Sequence, residues 1–143
     1  MKLNLQDAKC NGKFIFSPDR PGLKKSHRAF DNAIILKVDN GITEYYSWWL
    51  NRKLNLQLSK PAWGTHITVV SDKDRVKDEK TFEQLKKSLN GKIISVPYDV
   101  VVRKQWQFWV LEVKPTKEMI DIRRQLGLKE NYPFHITVGR DDV

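Results

Sequence analysis

The sequence predicts an α+β fold: one domain built from two related lobes. Two observations carry that expectation. Strand-like and helix-like hydrophobic periods alternate from residue 33 to residue 140, with no linker or low-complexity break between them. Within that span two strand–helix–strand units, 33–71 and 107–140, end in the same tetrapeptide, His66-Ile67-Thr68-Val69 and His135-Ile136-Thr137-Val138. The units are not similar elsewhere. The repeat is therefore one of architecture, with one motif in common.

The elements follow from local patterns. Residues 1–32 form an irregular basic segment with seven basic and three acidic residues. Asn11-Gly12 is a hairpin-type turn signal, and 13–16 reads as the short strand after it. Pro18, Pro21 and Gly22 break regular structure. The run 33–38 is short, apolar and β-branched, as a buried strand is. Asp39-Asn40-Gly41 marks a turn. A helix is expected over 42–58, because Ile42, Tyr45, Tyr46, Trp49, Leu50 and Leu54 recur on one helical face. Pro61 and Gly64 close that region, and 65–70 reads as a strand. The mixed-charge stretch 71–80 reads as a loop into a helix over 81–89, which Asn90-Gly91 stops. Strands over 93–102 and 107–113 are expected, joined by a tight basic turn at Arg103-Lys104-Gln105. Pro97 marks the first of them as an edge strand or a bulged one. Thr116 can cap a helix to Leu126 whose apolar face is Met119, Ile122 and Leu126, with Gly127 as its stop. The last strand is 134–140.

Composition bounds the function. At 143 residues the chain suits one domain. A hydrophobic share of 40%, with five Trp, four Tyr and six Phe, excludes a disordered chain. One cysteine, Cys10, excludes an internal disulfide framework and a Cys-rich zinc site. No apolar run approaches the ~20 residues of a membrane span, and the first residues lack the apolar core of a signal peptide. The expectation is a soluble, cytoplasmic protein without a membrane or stable protein partner. Its 26 Lys and Arg against 17 Asp and Glu give a formal charge of +9, which favours an anionic ligand.

The paired motif carries the chemistry. Residues i and i+2 of a strand share a face. His66 therefore lies beside Thr68 and His135 beside Thr137, while Ile67, Val69, Ile136 and Val138 point the other way. If the lobes face each other, two His and two Thr converge. That set suits cleavage of a phosphodiester. One imidazole takes a proton from the attacking oxygen and the other protonates the leaving oxygen. The threonine hydroxyls can donate to the non-bridging oxygens, where charge builds. The arrangement calls for no metal or other cofactor, and the sequence offers no cluster of metal ligands. Which His is base and which is acid stays open.

Paired His-x-Thr motifs on two strand ends resemble those of the 2H phosphoesterase superfamily, and His66-Ile67-Thr68 and His135-Ile136-Thr137 match that pattern residue by residue. The spacing and short length look most like the phage anti-CBASS phosphodiesterases. The resemblance spans 33–140. It implies a two-lobed fold whose antiparallel sheets form a central cleft with helices outside. It also implies metal-independent hydrolysis of 3′–5′ bonds in cyclic di- and trinucleotide defence signals such as cGAMP. A phage protein of that kind would act in the host cytoplasm, against CBASS immunity. The alternatives are a 2′,3′-cyclic or 2′,5′-RNA phosphodiesterase and a non-catalytic nucleotide-binding module.

Further residues fit a nucleotide site. Trp63, Tyr98 and Trp106 are candidate stacking platforms, whereas Trp109 lies in an apolar run. Lys104 and Arg140 are candidate phosphate contacts, with Arg103 beside them. Strict alternation turns Arg140 away from His135 and Thr137 unless Gly139 allows a bulge. Tyr45, Tyr46, Trp48 and Trp49 read mostly as helix packing, and His27, Arg123, Arg124 and the stretch 71–87 as solvated.

Overall fold

The computed structural model describes residues 7–18, 32–60 and 64–141. Strand β1 spans Asp7–Phe16. The Asn11-Gly12 pair makes no turn: it sits inside β1, opposite Ser95 and Ile94. The reason is packing. A Cβ on Gly12 would lie 3.1 Å from the Cβ of Leu36, so glycine here admits a neighbouring side chain.

Strand β2 (Ile34–Lys37) leads into helix α1 (Asn40–Leu54), capped by the Asp39 carboxylate, which accepts from the Gly41 N–H. The helix stops short of residue 58 because Asn55 takes a left-handed conformation, φ 54°. Strand β3 (His66–Val70) follows, then a 3-10 turn at Asp72–Asp74 and helix α2 (Glu79–Leu89). Strand β4 is Ile93–Asp99. The basic residues expected to form a turn are instead strand β5 (Arg103–Gln105), which pairs with β6 (Phe108–Glu112). The turn between them is at Trp106, whose φ is 56°. Helix α3 (Lys117–Gln125) begins at Thr116, whose hydroxyl accepts from the Met119 N–H at 3.3 Å, and β7 is His135–Arg140.

All seven strands among the described residues join one antiparallel sheet in the order β4-β1-β2-β3-β7-β6-β5. The two strand–helix–strand units thus do not form the separate lobes and sheets expected of them. They meet at the centre, where Ile67 of β3 pairs with Ile136 of β7. Strand β4, which carries Pro97, ends the sheet. The sheet curls: Val113, just after β6, bridges Tyr98 of β4, although four strands lie between β4 and β6.

One face of the sheet is the core. Phe14, Leu36, Ile67, Val69, Leu111, Ile136 and Val138 cluster there with Leu50 of α1, Phe82 and Leu85 of α2, and Met119 and Ile122 of α3. Each such fully buried side chain contributes about 1.5–3 kcal/mol. The helices therefore cover the face opposite to His66 and His135. Helix α1 touches the sheet mainly at β7, so its contact stripe is narrow. Only Thr43 and Leu50 are buried in it, and Tyr45, Trp48 and Trp49 are open instead of packed.

Among the described residues no helix is long and apolar enough to cross a membrane. Cys10 is buried, which pushes its thiol up to about 11 and leaves it unreactive at neutral pH.

Candidate active site

Strands β3 and β7 alternate in the same way. Ile67, Val69, Ile136 and Val138 are buried, while His66, Thr68, His135 and Thr137 are half-buried. The antiparallel Ile67–Ile136 pair sets His66 across from Thr137 and Thr68 across from His135. All four polar side chains therefore share one face at the junction of the lobes.

The neighbouring strands extend the symmetry. Thr68 pairs with Ile35 and Thr137 with Val110, both buried although they lie on this face. His66 pairs with Lys37 and His135 with Glu112. Each histidine thus has an apolar residue diagonal to it and a charged residue beside it. The charges are opposite, which breaks the symmetry of the pair.

Both rings are held in the same way. His66 Nδ1 lies 2.9 Å from the Gly64 carbonyl, and His135 Nδ1 lies 2.9 Å from the Pro133 carbonyl. A carbonyl only accepts, so Nδ1 carries the proton in each ring. In the neutral tautomer the lone pair is then on Nε2, the outer nitrogen. The backbone repeats too: the Val38 N–H donates to the Thr65 carbonyl and the Val113 N–H to the Phe134 carbonyl, both at 3.0 Å.

The turn ahead of His66 is fixed by residues that no sequence motif marks. The Asn40 side-chain oxygen accepts from the Thr65 N–H at 3.0 Å, and the Thr65 hydroxyl meets that of Thr43 at 2.6 Å. Gly64 has φ 71°, and a Cβ on it would lie 2.8 Å from the Asn40 oxygen. Glycine is required there on both counts. This turn positions the carbonyl that orients His66.

Burial lowers the pKa of His66 below its ordinary value of 6.5. The bond to Gly64 opposes that shift, and the charge of His135 adds to it.

The other expected contacts divide. Arg140 pairs with Phe108 and Thr137 pairs with Val110, two residues along β6, so Arg140 and Thr137 share a face. The register passes over Val138 at an irregularity opposite Trp109 and Val110. A Cβ on Gly139 would lie 2.8 Å from the Leu58 Cβ, where the chain after α1 crosses β7 and Ser59 bridges Arg140. Arg103 also lies on the histidine face, opposite Val110, within 3.6 Å of Glu112 and 3.8 Å of Asp99. Lys104 does not share that face. It pairs with Trp109, sits 5.8 Å over that ring and lies 3.9 Å from Asp141. Tyr98 is in the core with Val96 and Val113, away from the histidines, because it falls on the buried phase of β4. Trp106 is 78% exposed at the β5–β6 turn, 6.1 Å from the Phe108 ring. Trp63 and His27 lie outside the described residues.

Arg123 is buried rather than solvated. It donates to the Val69 carbonyl at 2.9 Å, to the Lys129 carbonyl at 2.6 Å and to Asp74 at 3.1 Å, and it stacks 4.1 Å from the Tyr132 ring. It thereby ties β3 to the loop that leads into β7. Arg124, its neighbour, is exposed and pairs with Asp121 and Glu130.

Two cavities, of about 410 and 630 Å³, flank α1 and are lined by Trp48, Tyr45, Trp49 and Trp109 among others. Neither is lined by the four motif side chains. Among the described residues no group of three His, Cys, Asp or Glu is placed to hold a metal ion.

No family model, curated protein or solved structure matches the chain.

Proposed function

We propose that the protein is a phosphodiesterase that cuts a nucleotide 3′–5′ linkage with its two histidines and no metal. The observation that carries this reading is the matched pair: His66 and His135 on adjacent central strands, each bonded through Nδ1 to the carbonyl two residues earlier, with Thr68 and Thr137 on the same face. A binding module has no need of two titratable rings in equivalent settings.

His66, whose charged form is disfavoured by burial, is the base, and His135 is the acid. His66 Nε2 takes the proton of a ribose 2′-OH, and the oxygen attacks phosphorus. His135 Nε2 gives its proton to the departing 5′-oxygen. A P–O2′ bond forms, the P–O5′ bond breaks, and a 2′,3′-cyclic phosphate results. In the second step the roles exchange: His135 takes a proton from water as its oxygen bonds to phosphorus, the P–O2′ bond breaks, and His66 returns a proton to the 2′-oxygen. Thr68 and Thr137 donate to the non-bridging oxygens.

The resemblance of the motifs to 2H phosphoesterases favours cyclic di- and trinucleotide signals as substrates. A substrate panel tests this: 3′,3′-cyclic dinucleotides, 2′,5′-oligoadenylate and RNA with a terminal 2′,3′-cyclic phosphate, each with excess EDTA. The expected result is fastest turnover of the cyclic dinucleotides. Preference for either of the others moves the protein to RNA processing. Recovery of all three ligands unchanged would overturn the enzymatic reading.

A further inference from the structure

Lys13 and Lys37 are directly opposite one another on β1 and β2, and Lys37 is directly opposite His66 on β3. The three residues therefore form one row across three strands, and the row continues to Thr137 on β7. The core residues Phe14, Leu36 and Ile67 occupy the next row, on the other face of the same strands.

Two like charges directly opposite in a sheet destabilise it. The described ion pairs engage Arg103, Lys104, Arg123 and Arg124, but neither Lys13 nor Lys37. Both lysines are exposed, and the other residue opposite Lys13 is Ile93, which is apolar. No acid on a neighbouring strand is in register with either lysine. The pair thus concentrates positive charge beside a catalytic histidine at a cost to the sheet, and an anionic group binding there would offset that cost.

We infer that Lys13 and Lys37 form a subsite for a second phosphate of the substrate. The inference rests on the phosphodiesterase reading for the position of the first phosphate, at His66 and His135. Strands are spaced about 4.8 Å apart, so Lys37 and Lys13 stand roughly 5 and 10 Å from His66 along that row. That span suits two phosphates joined through a nucleoside. The ligand class is therefore a di- or oligonucleotide, cyclic or linear, rather than a mononucleotide with one cyclic phosphate.

Calorimetric titration of the full chain tests this with two probes: a 3′,3′-cyclic dinucleotide, with two phosphates, and adenosine 2′,3′-cyclic phosphate, with one. The proteins compared are the wild type and the double variant Lys13→Gln/Lys37→Gln. The expected result is a dinucleotide Kd raised about tenfold or more in the variant, with the one-phosphate Kd within about twofold of wild type. Thermal melting of the variant should be unchanged or higher, since a repulsive pair is removed. An unchanged dinucleotide Kd overturns the subsite. So does an equal loss on both probes, which reduces the effect to overall charge, and so does a wild type that does not bind the dinucleotide. Turnover is read separately. Hydrolysis with no lysine effect leaves the phosphodiesterase reading standing without the subsite, and a lysine effect with no hydrolysis leaves the subsite standing without the reaction.

Discussion

The carbonyl of Gly64 and that of Pro133 decide what the two histidines can do. By accepting a hydrogen bond from Nδ1–H they fix the tautomer, so that the lone pair is left on Nε2 in both rings. His66→Ala and His135→Ala should each abolish turnover. Thr68→Ala and Thr137→Ala should each lower kcat by about 10²–10³-fold, the loss that follows removal of one oxyanion donor. The lowered pKa of His66 sets a pH dependence. A base works unprotonated, so kcat/KM should rise with pH through an inflection below 6.5. An inflection above that value would contradict the assignment of His66 as base. The same shift has a sign for stability. The folded state disfavours protonated His66, so stability is intact above 6.5 and falls as the pH drops from there toward the folded value. Melting temperatures measured across that window should fall more steeply in the wild type than in His66→Gln.

At the level of elements, two glycines with positive φ separate positioning from folding. Gly64 (φ 71°) is crowded by Asn40 and supplies the His66 carbonyl, whereas Gly91 (φ 87°) faces open space. Alanine at either position strains the backbone by about 1–2 kcal/mol. Gly64→Ala should in addition lower kcat, and Gly91→Ala should leave it unchanged. Thermal melts and kinetics on the two variants check this. The strands and helices that carry the motif were legible in the sequence, because alternation and capping are local: Thr116 caps α3, and 135–138 alternates as a strand should. Sequence and structure part where a distant contact overrides the local signal. Gly12 reads as a turn but is a cavity for Leu36. Tyr98 reads as a platform but falls on the buried phase of β4. Arg103–Gln105 reads as a turn because β5 is only three residues long. Lys37 and Glu112 carry no local signal, because their place beside the histidines depends on which strand lies next to the motif, and sequence alone does not give that order.

For the molecule as a whole, the formal charge of +9 acts on encounter rather than on the fold. Lys13, Lys37, Arg103 and Arg140 share the histidine face by register, with Glu112 among them, so basic side chains outnumber acidic ones at the proposed site. Values of kcat/KM for a cyclic dinucleotide should therefore fall as salt is raised toward physiological strength, where the screening length is about 8 Å. A rate indifferent to salt would make the charge incidental. The pseudo-symmetric sheet, with β3 and β7 at its centre, brings the motifs of both lobes together. Phosphorus NMR of a 3′,3′-cyclic dinucleotide incubated with the wild type in excess EDTA tests the two-histidine reaction most directly. The diester resonance should give way to a 2′,3′-cyclic phosphate and then to a monoester, and neither His66→Ala nor His135→Ala should produce the change. An unaltered diester with the wild type, or full conversion by both variants, would contradict that reaction.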